Sequence, residues 1–283
     1  MLDLIGKLLV RNIFEHPIIV VGASRSGTSI LLQALGHHPL ILAMRGEAPF
    51  LTTVGGSAHL FEYSENKDYY LDSIKTSKEY LYSQLKKIGF EIAAGPHYGL
   101  RQMAKGFLGH GGSPLGRRYW AAKTFPSEPV THGLIKLYPG VRFIYIRRNG
   151  CDVIQSRTKF HGFNEKDFQS QCKAWADSVE KYDHLARLDQ AIAVKQEDLL
   201  QNPRQFFDEV ADFLGMARHS GPADYANSTL VHPLDQNTQQ HQSVKDVISS
   251  RPPAHTGWTN EQKALFKDIC GSAMHKAGYE VPF

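Results

Sequence analysis

Two short stretches of this 283-residue chain carry residue types at spacings suited to holding phosphate. The first is Gly22-Ala23-Ser24-Arg25-Ser26-Gly27-Thr28-Ser29, which follows the β-branched run Pro17–Val21 and opens a segment with an apolar face. Gly22 and Gly27 match the two glycines of the phosphate-loop pattern G-x-x-x-x-G-K-[ST]. Small residues there let backbone N–H groups converge on phosphate oxygens at the positive end of a helix. Thr28 takes the position at which a nucleoside-triphosphate enzyme places its phosphate-reaching lysine. A hydroxyl donates one hydrogen bond but does not balance the charge of a γ-phosphate. The loop is therefore expected to hold a 5′-phosphate bearing a less charged group, through Arg25, Ser26, Gly27, Thr28 and Ser29. The bland alternative is a Gly-Ser turn with no ligand.

The second stretch is Arg147-Arg148-Asn149-Gly150-Cys151-Asp152-Val153-Ile154-Gln155-Ser156, directly after the strand-like run Val141–Ile146. Arginine offers a rigid fork of donors that fits phosphate, and Ser156 falls on a helix that starts at the same turn. Read alone, Arg147 and Arg148 are equally a solvated pair at a strand end. Together the two stretches resemble the signatures of sulfotransferases that use 3′-phosphoadenosine 5′-phosphosulfate (PAPS). In that family the first loop binds the 5′-phosphosulfate, and the resemblance implies Arg148 and Ser156 as ligands of the 3′-phosphate. Gly150 departs from the proline found in many members, and a glycine turn is at least as permissive.

The resemblance covers most of residues 16–279 and is weak over 52–115. Lys195-Gln196-Glu197-Asp198-Leu199, Asn202-Pro203 and Phe213-Leu214-Gly215 are similar to a run after the family's third core strand. Arg251-Pro252-Pro253 and Gly257-Trp258 resemble its cofactor-closing loop, which implies Arg251 as a further contact to the 3′-phosphate. Glu47, in Met44-Arg45-Gly46-Glu47-Ala48-Pro49, is similar in placement to the catalytic glutamate of the protein-tyrosine branch, so the resemblance implies Glu47 as general base. Its ordinary reading is a surface carboxylate paired with Arg45. The branch acting on phenols and steroids uses histidine instead, and His37, His38 and His161 are the rival bases here. Sulfuryl transfer needs in-line positioning and cations at the leaving phosphate. Lys123, ending the strand-like Tyr119–Lys123, is available as such a cation. No metal is implied.

Periodicity supplies the frame that must place these groups. Strand-like runs at 17–21, 119–123, 141–146 and 191–195 alternate with helical segments at 28–36, 164–188, 203–214 and 259–276. A long amphipathic helix is expected over 66–88, with Tyr70, Leu71, Ile74, Tyr80, Leu81 and Leu85 inward. Gly106, Gly109, Gly111, Gly112 and Gly116 mark a flexible loop, and residues 218–257 have little periodicity. The pattern predicts an α/β fold with a central parallel sheet flanked by helices, in one domain spanning 1–283, with residues 1–15 an N-terminal arm or helix. Ligands of such sheets sit at the carboxyl ends of the strands.

Hydrophobic residues at 42% and charged residues at 21% exclude a disordered, fibrous or membrane-spanning chain. A net charge of +4 suits a small anionic ligand as well as nucleic acid and selects neither, and no nucleic-acid partner is expected. No leader pattern, no apolar run of about 18 residues and only three cysteines lead to an expected cytoplasmic location. Residues 1–14 as a short amphipathic anchor are the lesser alternative. The expected activity is in-line transfer of a sulfuryl group from PAPS, with 3′-phosphoadenosine 5′-phosphate (PAP) released. A non-catalytic binder of phosphoadenosine nucleotides is the first alternative. A P-loop kinase or NTPase is the second, opposed by Thr28 and by a strand that ends in arginines. Residues 52–118, rich in Tyr, Phe and Gly, are expected to line a site for a carbohydrate, phenol, lipid headgroup or peptide acceptor, with His110 and its loop as a lid. Nothing in the sequence selects an oligomeric state.

Overall fold

The computed structural model describes residues 15–94, 117–228 and 252–283. The fold is α/β, with a five-stranded central sheet flanked by helices. Two compact units make up the chain, one of Met1–Val20 with Leu35–Phe143, the other of Val21–Ala34 with Ile144–Phe283.

In the first unit, strands β2 (Ile41–Glu47), β3 (Tyr119–Lys123) and β1 (Pro17–Val21) lie side by side in that order. Both pairings are parallel: Ile18 faces Ala121 across β1 and β3, and Ile41 faces Tyr119 across β2 and β3. β1 is buried along its whole length, as a continuous β-branched run demands. The β2–β3 register is irregular between Ala43 and Glu47, and it brings Glu47 opposite Lys123. β2 lies outside the strands expected from periodicity, because its apolar start, Ile41 to Met44, runs into Arg45-Gly46-Glu47. Helices α2 (Phe50–Tyr63), α3 (Lys67–Ser73), α4 (Lys78–Ala94) and α5 (Glu128–Leu137) complete the unit. Glu62 on α2 ties three of them together. It pairs with Lys78 of α4 at 3.1 Å and Lys136 of α5 at 3.3 Å, and it accepts the Tyr82 hydroxyl at 3.0 Å.

The long helix expected over 66–88 is corrected to two helices, α3 and α4. Lys75 sits at φ +50°, outside helical space, and the Ser77 hydroxyl accepts the Tyr80 N–H at 3.2 Å to start α4 afresh. With the break, Tyr70, Ile74 and Tyr80 are exposed rather than inward, and Leu71, Leu81 and Leu85 are half-buried.

In the second unit, α1 (Thr28–Leu35) follows the glycine-rich turn, and β4 (Arg142–Arg147) lies beside β5 (Ala191–Lys195). Helices α6 (Gly150–Thr158), α7 (Phe168–Tyr182), α8 (Gln196–Gln201), α9 (Pro203–Phe213), α10 (Gly221–Ser228) and α11 (Asn260–Lys276) complete it. Its core gathers Cys151, Ile154, Cys172, Trp175, Phe266, Cys270 and Met274, with Trp175 stacked on Phe266 at 6.4 Å. Each buried ring of this kind contributes roughly 1.5–3 kcal/mol. Their contribution fixes α6, which carries the second motif from Gly150 to Ser156.

The helix expected over 164–188 is shorter. Asp167 caps its start by accepting the Ser170 N–H at 2.7 Å, and a 3₁₀ turn at Asp183–Arg187 ends it. Within 218–257, α10 and a 3₁₀ turn at Ala254–Gly257 are ordered elements that weak periodicity concealed. The N-terminal arm, most of the glycine loop with His110, and Arg251 lie outside the described residues.

Candidate functional site

Buried β1 delivers the chain into the turn Gly22–Gly27, and α1 begins at Thr28. The turn is tight at both glycines. A Cβ on Gly22 would meet the Ile146 carbonyl oxygen at 2.5 Å, and Gly27 holds φ +90° with Gln196 Cγ only 2.9 Å from any added Cβ. No larger residue fits without displacing backbone. The first N–H groups of α1 have no carbonyl within the helix, so they form an anion-seeking end. Ser26 in the same turn is 1% exposed, and its Oγ has no hydrogen-bond partner among the described residues. A buried hydroxyl without a partner costs about 1–3 kcal/mol, and an anion in the turn would satisfy it. These residues fit a phosphate-type group. Thr28 is buried at the position of the absent lysine.

The second motif is bonded directly to this turn. Arg148, after β4, donates from Nη1 to the Arg25 carbonyl oxygen at 2.8 Å. Arg25 donates from Nε to Ser156 Oγ on α6 at 3.1 Å, and its guanidinium lies 4.0 Å from the centroid of the Phe160 ring. Arg25 holds φ +70°, a left-handed conformation that costs a non-glycine residue roughly 1–2 kcal/mol. The contacts to Arg148, Ser156 and Phe160 hold it there. The side chain of Arg25 thus reaches the serine expected at the 3′-phosphate, while Ser26 and the start of α1 serve the turn itself.

Two further residues of this cradle were not assigned to it from the sequence. Arg157, next to Ser156, donates to Ser24 Oγ at 2.7 Å. Glu197, which the sequence offered only as part of the run after the third core strand, accepts the Asn149 N–H at 3.0 Å and the Tyr279 hydroxyl at 2.6 Å. The carboxylate therefore pins the Arg148–Asn149 turn to α8 and the C-terminal segment. Its charge also raises the Tyr279 phenol, after burial, well above the ordinary tyrosine range. The remaining signal in the sequence was Asn149, which caps α6 by accepting the Cys151 N–H at 2.9 Å.

In the first unit, the ends of β2 and β3 bring Glu47 and Lys123 together, with Lys123 Nζ 3.4 Å from Glu47 Oε1. The lysine is 12% exposed and the carboxylate 56%, so one partner is anchored and the other open to an incoming group. An ion pair this exposed contributes at most about 1 kcal/mol to stability, and its effect is to orient the carboxylate. Of the rival bases, His38 is buried and its Nδ1 accepts the Leu40 N–H at 3.2 Å, a commitment to the turn before β2. Desolvation and the Arg117 guanidinium hold His37 below the ordinary imidazole range. His161 is exposed in the turns after α6. In the region expected to meet the acceptor, Tyr63, Tyr69, Tyr80, Ile88 and Ile92 are exposed on α2, α3 and α4. Among the described residues no three His, Cys, Asp or Glu groups converge as a metal site, and no helix is long and apolar enough to cross a membrane.

A sequence model described as "Sulfotransferase family" matches residues 17–220, well over half of the chain. No curated protein matches it. Among solved structures, a mouse sulfotransferase complexed with PAP gives a TM-score of 0.52 at 15% identity, covering 94% of this chain and 88% of that one. The sulfotransferase domain from the curacin biosynthetic pathway gives 0.51 at 16% identity, covering 94% and 99%. At these identities the likeness is one of fold.

Proposed function

The chain belongs to the sulfotransferase family, and from that premise we propose that it transfers a sulfuryl group from PAPS to a hydroxyl or amine acceptor. The observation that carries this reading is the bonding of the two phosphate motifs to each other, through Arg148 to Arg25 and through Arg25 to Ser156. One nucleotide with phosphate at both its 5′ and 3′ positions fits that double cradle better than a triphosphate does. The lysine position of the first motif holds threonine.

PAPS, when bound, supplies an activated sulfuryl group on a nucleotide leaving group. The protein's part is to hold, orient and move a proton. Ser26, Gly27, Thr28 and Ser29 would take the 5′ end with the N–H groups that open α1, and Arg148 and Ser156 the 3′-phosphate. Arg251 is assigned to the same phosphate by resemblance. Glu47 would accept the proton of the acceptor, since a carboxylate that is more than half exposed is open to it. Lys123 would hold that carboxylate and answer negative charge that develops on the leaving phosphate. Resemblance to the protein-tyrosine branch at Glu47 does not carry over an acceptor, because fold and motif are shared across acceptors.

Transfer of ³⁵S from labelled PAPS to a panel of phenols, carbohydrates, peptides and lipid headgroups tests the proposal. Label is expected in at least one acceptor class. Donor that binds, with no label passed to any class, would favour a non-catalytic nucleotide binder.

A further inference from the structure

Arg157 is 3% exposed on α6, in the same unit as the cradle. Guanidinium groups this deeply buried are ordinarily paired with a carboxylate, because an unanswered charge away from water is costly. Arg157 departs from that rule. Among the described residues its hydrogen bonds run to neutral oxygens only, from Nη2 to Ser24 Oγ at 2.7 Å and from Nη1 to the Gln171 carbonyl at 3.3 Å. Its Nε is buried and has no hydrogen-bond partner among the described residues. The Phe163 ring, 5.8 Å away, covers the group, and the side chain of Gln171 is in turn bonded to the Phe163 carbonyl. Burial lowers its pKa to about 10, so it stays charged at neutral pH.

A fixed positive charge thus touches the phosphate turn at Ser24, two residues before the partnerless Ser26 hydroxyl. We infer that Arg157 is a positioning residue for the anion in this turn: it fixes Ser24, and its charge is answered by the 5′-phosphosulfate end of the nucleotide. The inference rests on the reading that the turn holds that group. It separates the two ends of the cradle, because Arg157 acts on the turn through Ser24, whereas the 3′-phosphate falls to Arg148 and Ser156. A residue that merely packs α6 would affect both ends alike.

The test is calorimetric titration of adenosine 3′,5′-bisphosphate and of adenosine 3′-monophosphate into the full chain and two variants. Arg157→Met is expected to weaken the bisphosphate about 30-fold, the scale of one poorly screened charge interaction. The 3′-monophosphate, which leaves the turn empty, should stay within about twofold. Arg157→Lys, which keeps the charge and loses the fork, should weaken the bisphosphate alone, by about threefold. If Arg157→Met does not fold, the Lys variant decides by the same contrast. Unchanged bisphosphate affinity, or equal loss of both ligands, overturns the inference. Failure of the unaltered chain to bind the bisphosphate instead overturns the underlying nucleotide reading, and the inference with it.

Discussion

Glu47→Gln is expected to lower turnover at saturating donor by about 100- to 1000-fold, the usual loss when a positioned general base is removed. Glutamine keeps the size of the side chain and an oxygen facing Lys123, 3.4 Å away, but it has no basic oxygen to take a proton. Nucleotide affinity should stay within about twofold, since Glu47 is not among the residues assigned to either phosphate. Stability should hardly change, because the exposed Glu47–Lys123 pair contributes at most about 1 kcal/mol. Initial rates with labelled donor, together with calorimetric affinity, separate these effects. An affinity loss equal to the rate loss, or unchanged turnover, would remove Glu47 as the base. The exposed His161 would then be the next residue to replace.

Arg148→Ala should reduce affinity for adenosine 3′,5′-bisphosphate by about 10- to 100-fold, the equivalent of one or two charge-assisted hydrogen bonds. Affinity for adenosine 5′-phosphosulfate, which lacks the 3′-phosphate, should fall much less. Some loss is expected there too, because Arg148 also donates to the Arg25 carbonyl at 2.8 Å and so helps to hold the first turn. The ratio of the two losses is therefore the quantity to measure. Equal losses would mean that Arg148 shapes the turn and does not read the 3′-phosphate.

The turns that carry the two proposed phosphate motifs were legible in the sequence because they are local. Gly22 and Gly27 are fixed by spacing within one turn, β1 is an unbroken apolar run, and β4 has an apolar centre, Phe143 to Ile146, between two arginines. The strand that carries Glu47 was not legible. Its apolar part is too short to rank as a strand, and its pairing with β3 is a long-range contact. The break at Lys75–Ser77 carried a readable signal in the Ser77 cap, which the amphipathic pattern on both sides masked. Arg157 and Glu197 were hidden for a different reason. Both types usually face water, and only the packing of α6 and α8 shows that one is buried and the other clamps a turn.

The central claim is that the two bonded turns hold one nucleotide with phosphates at its 5′ and 3′ positions. Calorimetric titration of adenosine 3′,5′-bisphosphate, beside magnesium-ATP and AMP, tests it most directly. The account predicts that the bisphosphate binds at least about 100-fold more tightly than either, through the added 3′-phosphate contacts. Preference for magnesium-ATP would contradict it by restoring the kinase reading that Thr28 argues against. Binding of none of the three would return Gly22–Gly27 to a turn without a ligand.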